Sequence, residues 1–224
     1  MKVWTHRGFP FTENQIESFQ KCYKDGIRHF ETDIHATRDG VLILSHDSNI
    51  LRLTGLNYEI SQLDFAQLNE LTKNIFQFSR LEDLINLFPD VEISIDIKHE
   101  PALIPLINLI KSTGFKNLVV GSFNTRRINT FRSEVPNCRT ALTSIEILKL
   151  AYGIKIDLGK YTNRYAMVPI KFKGIRILTK KFLSRTKLAN IPTFIWTVNS
   201  LTESIYLAKL EVSGIVTDDF RLFV

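Results

Sequence analysis

Residues 91–122 read VEISIDIKHEPALIPLINLIKSTGFKNLVVGS. A β-branched apolar run, Val91–Lys98, gives way to a helical pattern over Pro101–Thr113 and then to a second β-branched run, Leu118–Ser122. Pro101 stands where a helix should start and Gly114 where it should stop, so the stretch is a strand–helix–strand unit. Short runs that are apolar almost throughout suit strands buried on both faces, as in a parallel sheet. Outward from this unit the alternation repeats. Further strands are predicted at Lys2–Thr5, His29–Ile34, Arg139–Leu142, Tyr165–Ile170, Thr193–Asn199 and Gly214–Thr217. Helical patterns lie between them at Glu13–Asp25, Arg80–Phe88, Thr125–Ser133, Thr143–Ala151, Thr179–Leu188 and Leu201–Leu210. Eight strands alternating with helices indicate an α/β fold, and the count favours a closed ring over an open sheet. No GxGxxG follows the first strand and no GxxxxGKS or GxxxxGKT occurs, which removes the best support for a nucleotide-binding sheet. The expectation is a TIM-like (β/α)8 barrel, one domain over residues 1–224, with a small insertion after the second strand at about 48–79. Around that insertion lie a β-extension at Val41–Ser45 and helical hints at Ser61–Leu71. At 224 residues the chain is short for such a barrel, typically about 250, so its connections must be brief.

Composition sets the class of partner. The chain is 44% hydrophobic and 23% charged, ordinary for a globular protein, with a net charge of +6. The basic excess falls mainly in the second half, at Arg126–Arg127, Lys171-Phe-Lys173 and Lys180–Lys181. Such a balance attracts anions. No dense basic block or aromatic–basic RNA signature is present, so nucleic acid is not expected, and a cationic surface that collects a small phosphodiester substrate suffices. No apolar run approaches the roughly 18 residues of a membrane span. MKVWTHRGFP has no signal-peptide core, so a cytoplasmic protein is expected, with peripheral membrane contact left open. Cys22 and Cys138 lack metal-ligand spacing and read as reduced packing residues. Oligomeric state is not legible.

In a βα barrel, functional groups sit at the carboxyl ends of strands and in the loops that follow. Polar residues at those places are His6-Arg7-Gly8, Glu31 and Asp33, His46, Asp96 and Lys98, and Trp196 with Asn199. Glu31 and Asp33 are two apart, so on a strand both point to one face. Two carboxylates buried side by side repel unless one is protonated or a cation sits between them. Asp96, two before Lys98 on the neighbouring strand, adds a third. Together Glu31, Asp33 and Asp96 make a hard-oxygen site for one divalent cation, Mg²⁺ or Ca²⁺. The plainer alternative is that Glu31 pairs with Arg28 or Arg38 and faces solvent. His6 and His46 are the acid–base candidates, since phosphodiester cleavage needs a proton taken from the nucleophile and one given to the leaving alkoxide. Arg7 and Lys98 would neutralise the phosphate oxygens. His29, His35 and His99 read as structural or solvent-facing, with His35 the first exception to consider.

The ordered set His6-Arg7-Gly8, Glu13-Asn14, Glu31-Thr-Asp33 through Thr37-Arg-Asp39-Gly40, and Ser45-His46-Asp47 resembles the opening of the glycerophosphodiester phosphodiesterases. Asp96-Ile-Lys98, Ser122-Phe123, Trp196-Thr-Val-Asn199 and Gly214-Ile-Val-Thr-Asp218 continue the resemblance to the end of the chain. It implies a TIM barrel and a divalent cation held at Glu31, Asp33 and Asp96. It also implies His6 and His46 as acid–base pair, Arg7 and Lys98 on phosphate, and Trp196 among the substrate contacts. The reaction implied splits glycerophosphodiesters into an alcohol and glycerol 3-phosphate, with lysophospholipids as substrates of some relatives. Two routes are compatible with it: direct attack by water, or first attack by a neighbouring glycerol hydroxyl to give a cyclic phosphate.

This chain departs from the pattern at three points. Asp96 stands where Glu is usual, Phe11-Thr12 where proline precedes Glu13-Asn14, and Asp219-Phe220 where proline follows the closing Thr-Asp. Rival readings are a phospholipase D-like enzyme acting on lysophospholipids, for which Phe9, Phe11 and Leu56 would supply a membrane-facing rim, and a non-catalytic anion-binding barrel. Against the second stands the joint presence of the acid–base and metal positions.

Overall fold

A computed structural model of the chain describes residues 1–156 and 163–223. Eight parallel strands close on themselves: β1 (Lys2–His6), β2 (His29–Ala36), β4 (Glu92–Ile97), β5 (Leu118–Gly121), β6 (Arg139–Ala141), β7 (Arg164–Val168), β10 (Thr193–Ile195) and β11 (Gly214–Thr217). The ring shuts because β1 pairs with β11 on one side, Val3 opposite Ile215, and with β2 on the other, His6 opposite Glu31. Gly214 permits the first contact, since a Cβ there would lie 2.6 Å from the Lys2 carbonyl oxygen. Helices α1 (Ile16–Lys24), α4 (Leu81–Leu87), α5 (Leu103–Thr113), α6 (Thr125–Glu134), α7 (Ser144–Tyr152), α8 (Lys180–Leu188) and α9 (Leu201–Lys209) alternate with the strands.

The two-residue period of each strand divides its side chains between two cores. On β2, Phe30 and Ile34 face outward into a large apolar layer with Phe19, Leu84, Leu106 and Phe131 from the helices. A second outer layer gathers Leu150, Phe182, Leu183 and Leu207 over β7, β10 and β11. Each such buried side chain contributes about 1.5–3 kcal/mol through loss of water contact. Inside the ring, Trp4, Val119, Phe194 and Val216 form an apolar plug. Glu92, Lys2, His29, Arg139 and Tyr165 make a polar cluster on its amino-terminal side. On the carboxyl side, the inward residues of β2 and β4 are Glu31, Asp33 and Asp96, and Asp33 lies directly opposite Asp96.

The expected elements recur with instructive differences at their ends. The first helix begins at Ile16, not Glu13, because Asn14 takes a left-handed φ of 57° and its amide donates to the Arg7 carbonyl at 2.6 Å. The seventh strand of the ring stops at Ile195, short of Asn199. The Val41–Ser45 extension is β3 (Leu42–Leu44), antiparallel to β2, and after it come the short α2 (Leu51–Thr54) and α3 (Phe65–Thr72). These surround a small apolar cluster of their own, including Ile43, Ile60, Leu68 and Phe78. A hairpin absent from the sequence reading, β8 (Lys171–Phe172) and β9 (Ile175–Arg176), stands between β7 and α8. Arg127, counted by sequence among the surface charges, is buried. It donates to the Ile97 carbonyl at 2.5 Å and to Ser122 Oγ at 2.8 Å. Cys22 and Cys138 are free thiols, Cys22 buried and Cys138 half-buried. Among the described residues, no helix is long and apolar enough to cross a membrane.

Candidate active site

The carboxyl ends of the strands enclose a cavity of about 340 Å³. The eight residues given roles from the sequence line it, namely His6, Arg7, Glu31, Asp33, His46, Asp96, Lys98 and Trp196, whereas Asn199, marked at the same strand end as Trp196, does not. Arg28 and Arg38 take no part, for Arg28 pairs with Asp90 and Arg38 with Asp64. The solvent-facing alternative for Glu31 is thereby removed.

His6 ends β1, and Arg7 and Gly8 follow it at φ of 54° and 80°. This left-handed pair turns the chain back at once, with the Phe9 amide donating to the His6 carbonyl at 2.9 Å. Only glycine suits the second place, where a Cβ would be strained by φ and would lie 3.1 Å from Ser18 Cβ. The turn sets Arg7 Nε 2.8 Å from Asp33 Oδ2, an ion pair whose angle is poor for a hydrogen bond.

Both histidines are braced by carboxylates. His6 Nδ1 donates to Asp218 Oδ1 at 2.5 Å, and Asn199 Nδ2 donates to the other Asp218 oxygen at 2.6 Å. His46 Nδ1 donates to Asp47 Oδ1 at 2.6 Å. These bonds fix the tautomer and leave each Nε2 free to exchange a proton. Burial would depress the His6 pKa, but the Asp218 hydrogen bond and the nearby Glu31 charge outweigh it, so the net shift is upward. Asp218 is held below its usual range, first by its bond to His6.

The carboxylates on β2 and β4 outnumber the cations among them. Lys98 Nζ lies 2.8 Å from Asp33 Oδ1 and 2.7 Å from Asp96 Oδ2, and Arg7 covers the other Asp33 oxygen. Burial would lower the Lys98 pKa, but Asp96 and Asp33 raise it, so its ammonium stays charged. Glu31 is left over. Its Oε2 is buried without a hydrogen-bond partner, 3.7 Å from His6 Nε2. Burial first, and the Asp33 charge second, push its carboxyl up to about 8. A buried carboxylate oxygen without a hydrogen bond, next to two more carboxylates, is the donor chemistry a hard divalent cation fits. Among the described residues, however, no three His, Cys, Asp or Glu side chains stand close enough to form a ready cage, and Lys98 holds the space between Asp33 and Asp96.

Four further residues, Arg52, Glu13, Asp47 and Asp218, belong to this network and were not assigned from sequence. Arg52, on α2, donates from Nε to Asp47 Oδ2 at 2.5 Å and bonds Glu13, whose second oxygen lies 3.7 Å from Arg7 Nη1. The chain Arg7–Glu13–Arg52–Asp47–His46 thus ties the first loop to the His46 loop. Glu13, Asp47 and Asp218 each lie in a motif quoted above, but a motif does not say what a residue touches. Arg52 had no such signal. His35 does not line the cavity; its Nε2 donates to the His46 carbonyl oxygen at 3.2 Å and supports that loop.

The far wall of the cavity is apolar: Leu142, Ile147, Leu148, Met167, Val168 and Ile177 line it, with Phe123, Phe172 and Trp196 at the mouth. The rim therefore lies here. Of the early-loop candidates, Phe11 packs against the outer core and Phe9 tilts against the His6 ring.

Residues 6–222 match the pattern of the Glycerophosphoryl diester phosphodiesterase family. A Mycobacterium tuberculosis protein named "Probable glycerophosphodiester phosphodiesterase 2" is 30% identical over 226 residues, covering 95% of this chain and 85% of that one. The human protein named "Lysophospholipase D GDPD1" is 25% identical, covering 92% and 79%. Among solved structures, a glycerophosphodiester phosphodiesterase from Thermotoga maritima superposes with a TM-score of 0.79 at 24% identity, covering 99% of this chain and 96% of that one, a likeness of fold.

Proposed function

This chain belongs to the glycerophosphoryl diester phosphodiesterase family, and we propose that its cavity splits glycerophosphodiesters into an alcohol and glycerol 3-phosphate, with one divalent cation and two histidines. The reaction class, phosphoric diester hydrolysis, follows from the family; the roles below are our reading. The observation that carries it is Glu31, a carboxylate with one buried oxygen that has no hydrogen-bond partner, set between His6 and Asp33. Glu31, Asp33 and Asp96 would hold the ion, and Asp96, one methylene shorter than the usual Glu, would release Lys98 to do so. Bound there, Mg²⁺ or Ca²⁺ supplies positive charge that polarises the phosphoryl oxygens.

The protein's own groups do the rest. Arg7 and Lys98 hold non-bridging oxygens of the phosphate, where a charge-assisted bond is about twice as strong as a neutral one. One imidazole Nε2 takes the proton of the attacking water and the other protonates the departing alkoxide; if the neighbouring glycerol hydroxyl attacks first, the same two groups in exchanged roles let water open the cyclic phosphate to glycerol 3-phosphate. Asp218 and Asp47 keep those rings oriented through both transfers. Trp196 packs against the organic part of the substrate.

One observation favours a second substrate class. A bare glycerol on the phosphate has no use for the wall of Leu142, Ile147, Leu148 and Met167, whereas a glycerol that carries an acyl chain does. Lysophospholipids are the corresponding substrates, in keeping with the name of the human relative.

The test is release of glycerol 3-phosphate from glycerophosphocholine, with EDTA and then with Mg²⁺ or Ca²⁺ restored. Release is expected to vanish in EDTA and to return with one of the ions, and Glu31→Gln should shift the metal titration to higher concentration. No release with either ion rejects the glycerophosphodiester reading. An unchanged titration in Glu31→Gln rejects the metal assignment.

A further inference from the structure

The mouth of the cavity carries a surface that the chemistry beneath it does not use. In the β8–β9 hairpin Phe172 lies opposite Ile175, and Lys171 opposite Arg176. Directly opposed side chains share a face of the ribbon, and successive ones alternate. One face is therefore apolar and the other basic. The connecting pair, Lys173 and Gly174, has φ of 48° and 81°, both positive as a tight two-residue hairpin turn requires. The whole segment from Lys171 to Arg176 is exposed, with Phe172 at 40% and Ile175 at 53%. A two-stranded ribbon is marginal by itself in water, and these two side chains add nothing to it while wet.

Beside the hairpin, Phe123 is 58% exposed. Its ring stacks on Phe172 with centroids 6.4 Å apart and meets Trp196 edge-on at 6.3 Å. An apolar ledge thus runs from Ile175 through Phe172 and Phe123 to Trp196, and continues as the cavity wall at Leu148 and Met167. Lys173 in the turn carries its ammonium 5.7 Å over the Phe172 ring, and Lys171 on the other face of the ribbon adds positive charge, on a chain whose net charge is +6.

We propose that this ledge docks on an anionic lipid surface, with Phe123, Phe172 and Ile175 in the headgroup–acyl boundary and the lysines among anionic headgroups. The arrangement rests on the cavity being the phosphodiesterase site, and it gives the apolar wall its occupant. A lysophospholipid leaving the surface slides its chain along Leu148 and Met167 and brings its phosphodiester to Lys98. The long lysine stems let the ammonium groups stay at headgroup level while the rings go deeper. The ledge is a few side chains wide, far below the roughly 800 Å² per partner of a stable protein contact. Its aliphatic members, Ile175 and Leu148, offer nothing to stacked bases, so charge and apolarity together fit lipid better than nucleic acid.

Sedimentation of the full chain with phosphatidylcholine vesicles, with and without phosphatidylglycerol, tests this. Binding to the anionic vesicles is expected, weakened about tenfold or more in Lys171→Glu/Lys173→Glu and in Ile175→Asp. None of these three positions lines the cavity, so glycerophosphocholine hydrolysis and melting temperature should hold, while hydrolysis of lysophosphatidylcholine presented in vesicles falls with binding. Wild-type protein that fails to sediment, or that sediments as well as its variants, overturns the docking surface. Variant-sensitive binding to a single-stranded oligonucleotide but not to vesicles also overturns it, in favour of nucleic acid. Docking without hydrolysis of any diester would reject the enzymatic reading alone; hydrolysis without docking would reject the surface alone.

Discussion

The barrel buries charge at both ends, and the two ends are balanced in opposite ways. At the amino-terminal side one carboxylate, Glu92, is served by Lys2 Nζ at 2.8 Å, Arg139 Nη1 at 2.9 Å, the Tyr165 hydroxyl at 3.0 Å and His29 at 3.7 Å. Burial would push its carboxyl up, but the bond and charge of Lys2, with Arg139 behind them, hold it below the usual range. On the carboxyl side Glu31, Asp33 and Asp96 share Arg7 and Lys98, and one Glu31 oxygen is left without a hydrogen bond. A satisfied buried ion pair is a structural part that punishes removal of either member. A buried carboxylate left wanting costs stability in every folded molecule and persists where something else is to bind. The same residue types thus mark scaffold at one end and site at the other, and the count of partners tells them apart.

The largest effect that would break this contrast is kinetic. His6→Ala or His46→Ala should lower kcat on glycerophosphocholine by about 10² to 10⁴-fold, the usual contribution of general acid–base catalysis, with the melting temperature held. A loss under threefold in both would mean that the carboxyl end is no more catalytic than the amino end.

Next in size is stability at the saturated end. Glu92→Gln keeps the shape but strands Lys2 and Arg139 around a neutral amide, and should cost about 2–4 kcal/mol of unfolding free energy. Activity per folded molecule should stay at the wild-type level. Urea unfolding beside a turnover assay separates the two. A rate loss at unchanged stability would merge the two clusters into one functional unit.

How much of this was readable in advance follows the range of the interactions. Strand period put Glu31 and Asp33 on one face, and the βαβ alternation put Asp96 on the neighbouring strand; both are local rules, and the Asp33–Asp96 register obeys them. The eight residues given roles from strand ends line one cavity, and Asn199, marked with them, instead holds Asp218. Partners across the ring were out of reach. Nothing local says that Asp218 braces His6, 212 residues earlier, or that Arg52 reaches both Asp47 and Glu13. Arg127 looked like surface charge beside Arg126, because helix phase alone decides which of two adjacent arginines points into the Ile97 carbonyl. The β8–β9 hairpin was invisible for a different reason. Strands of two residues are too short for any period, and Lys-Gly is a weaker turn signal than Asn-Gly.

The smallest effect sharpens the contrast at low pH. Because the folded-state pKa of Glu92 is depressed, its stabilisation is present above the unfolded carboxylate value of about 4.3 and is lost as pH falls through the lower folded-state value. Glu146 belongs to the same class: burial would raise it, but its bonds to Arg132 and to the Thr143 amide hold it down. The stability gap between wild type and Glu92→Gln should therefore be present above about 4.3 and narrow as pH falls through the lower folded-state value. Urea titrations at a series of pH values measure it directly. A gap that stayed constant down to the acid limit would mean that Glu92 is held by shape alone and that its four partners add no net electrostatic stabilisation. In that case the amino end would be no better satisfied than the carboxyl end, and counting partners would lose its power to tell scaffold from site.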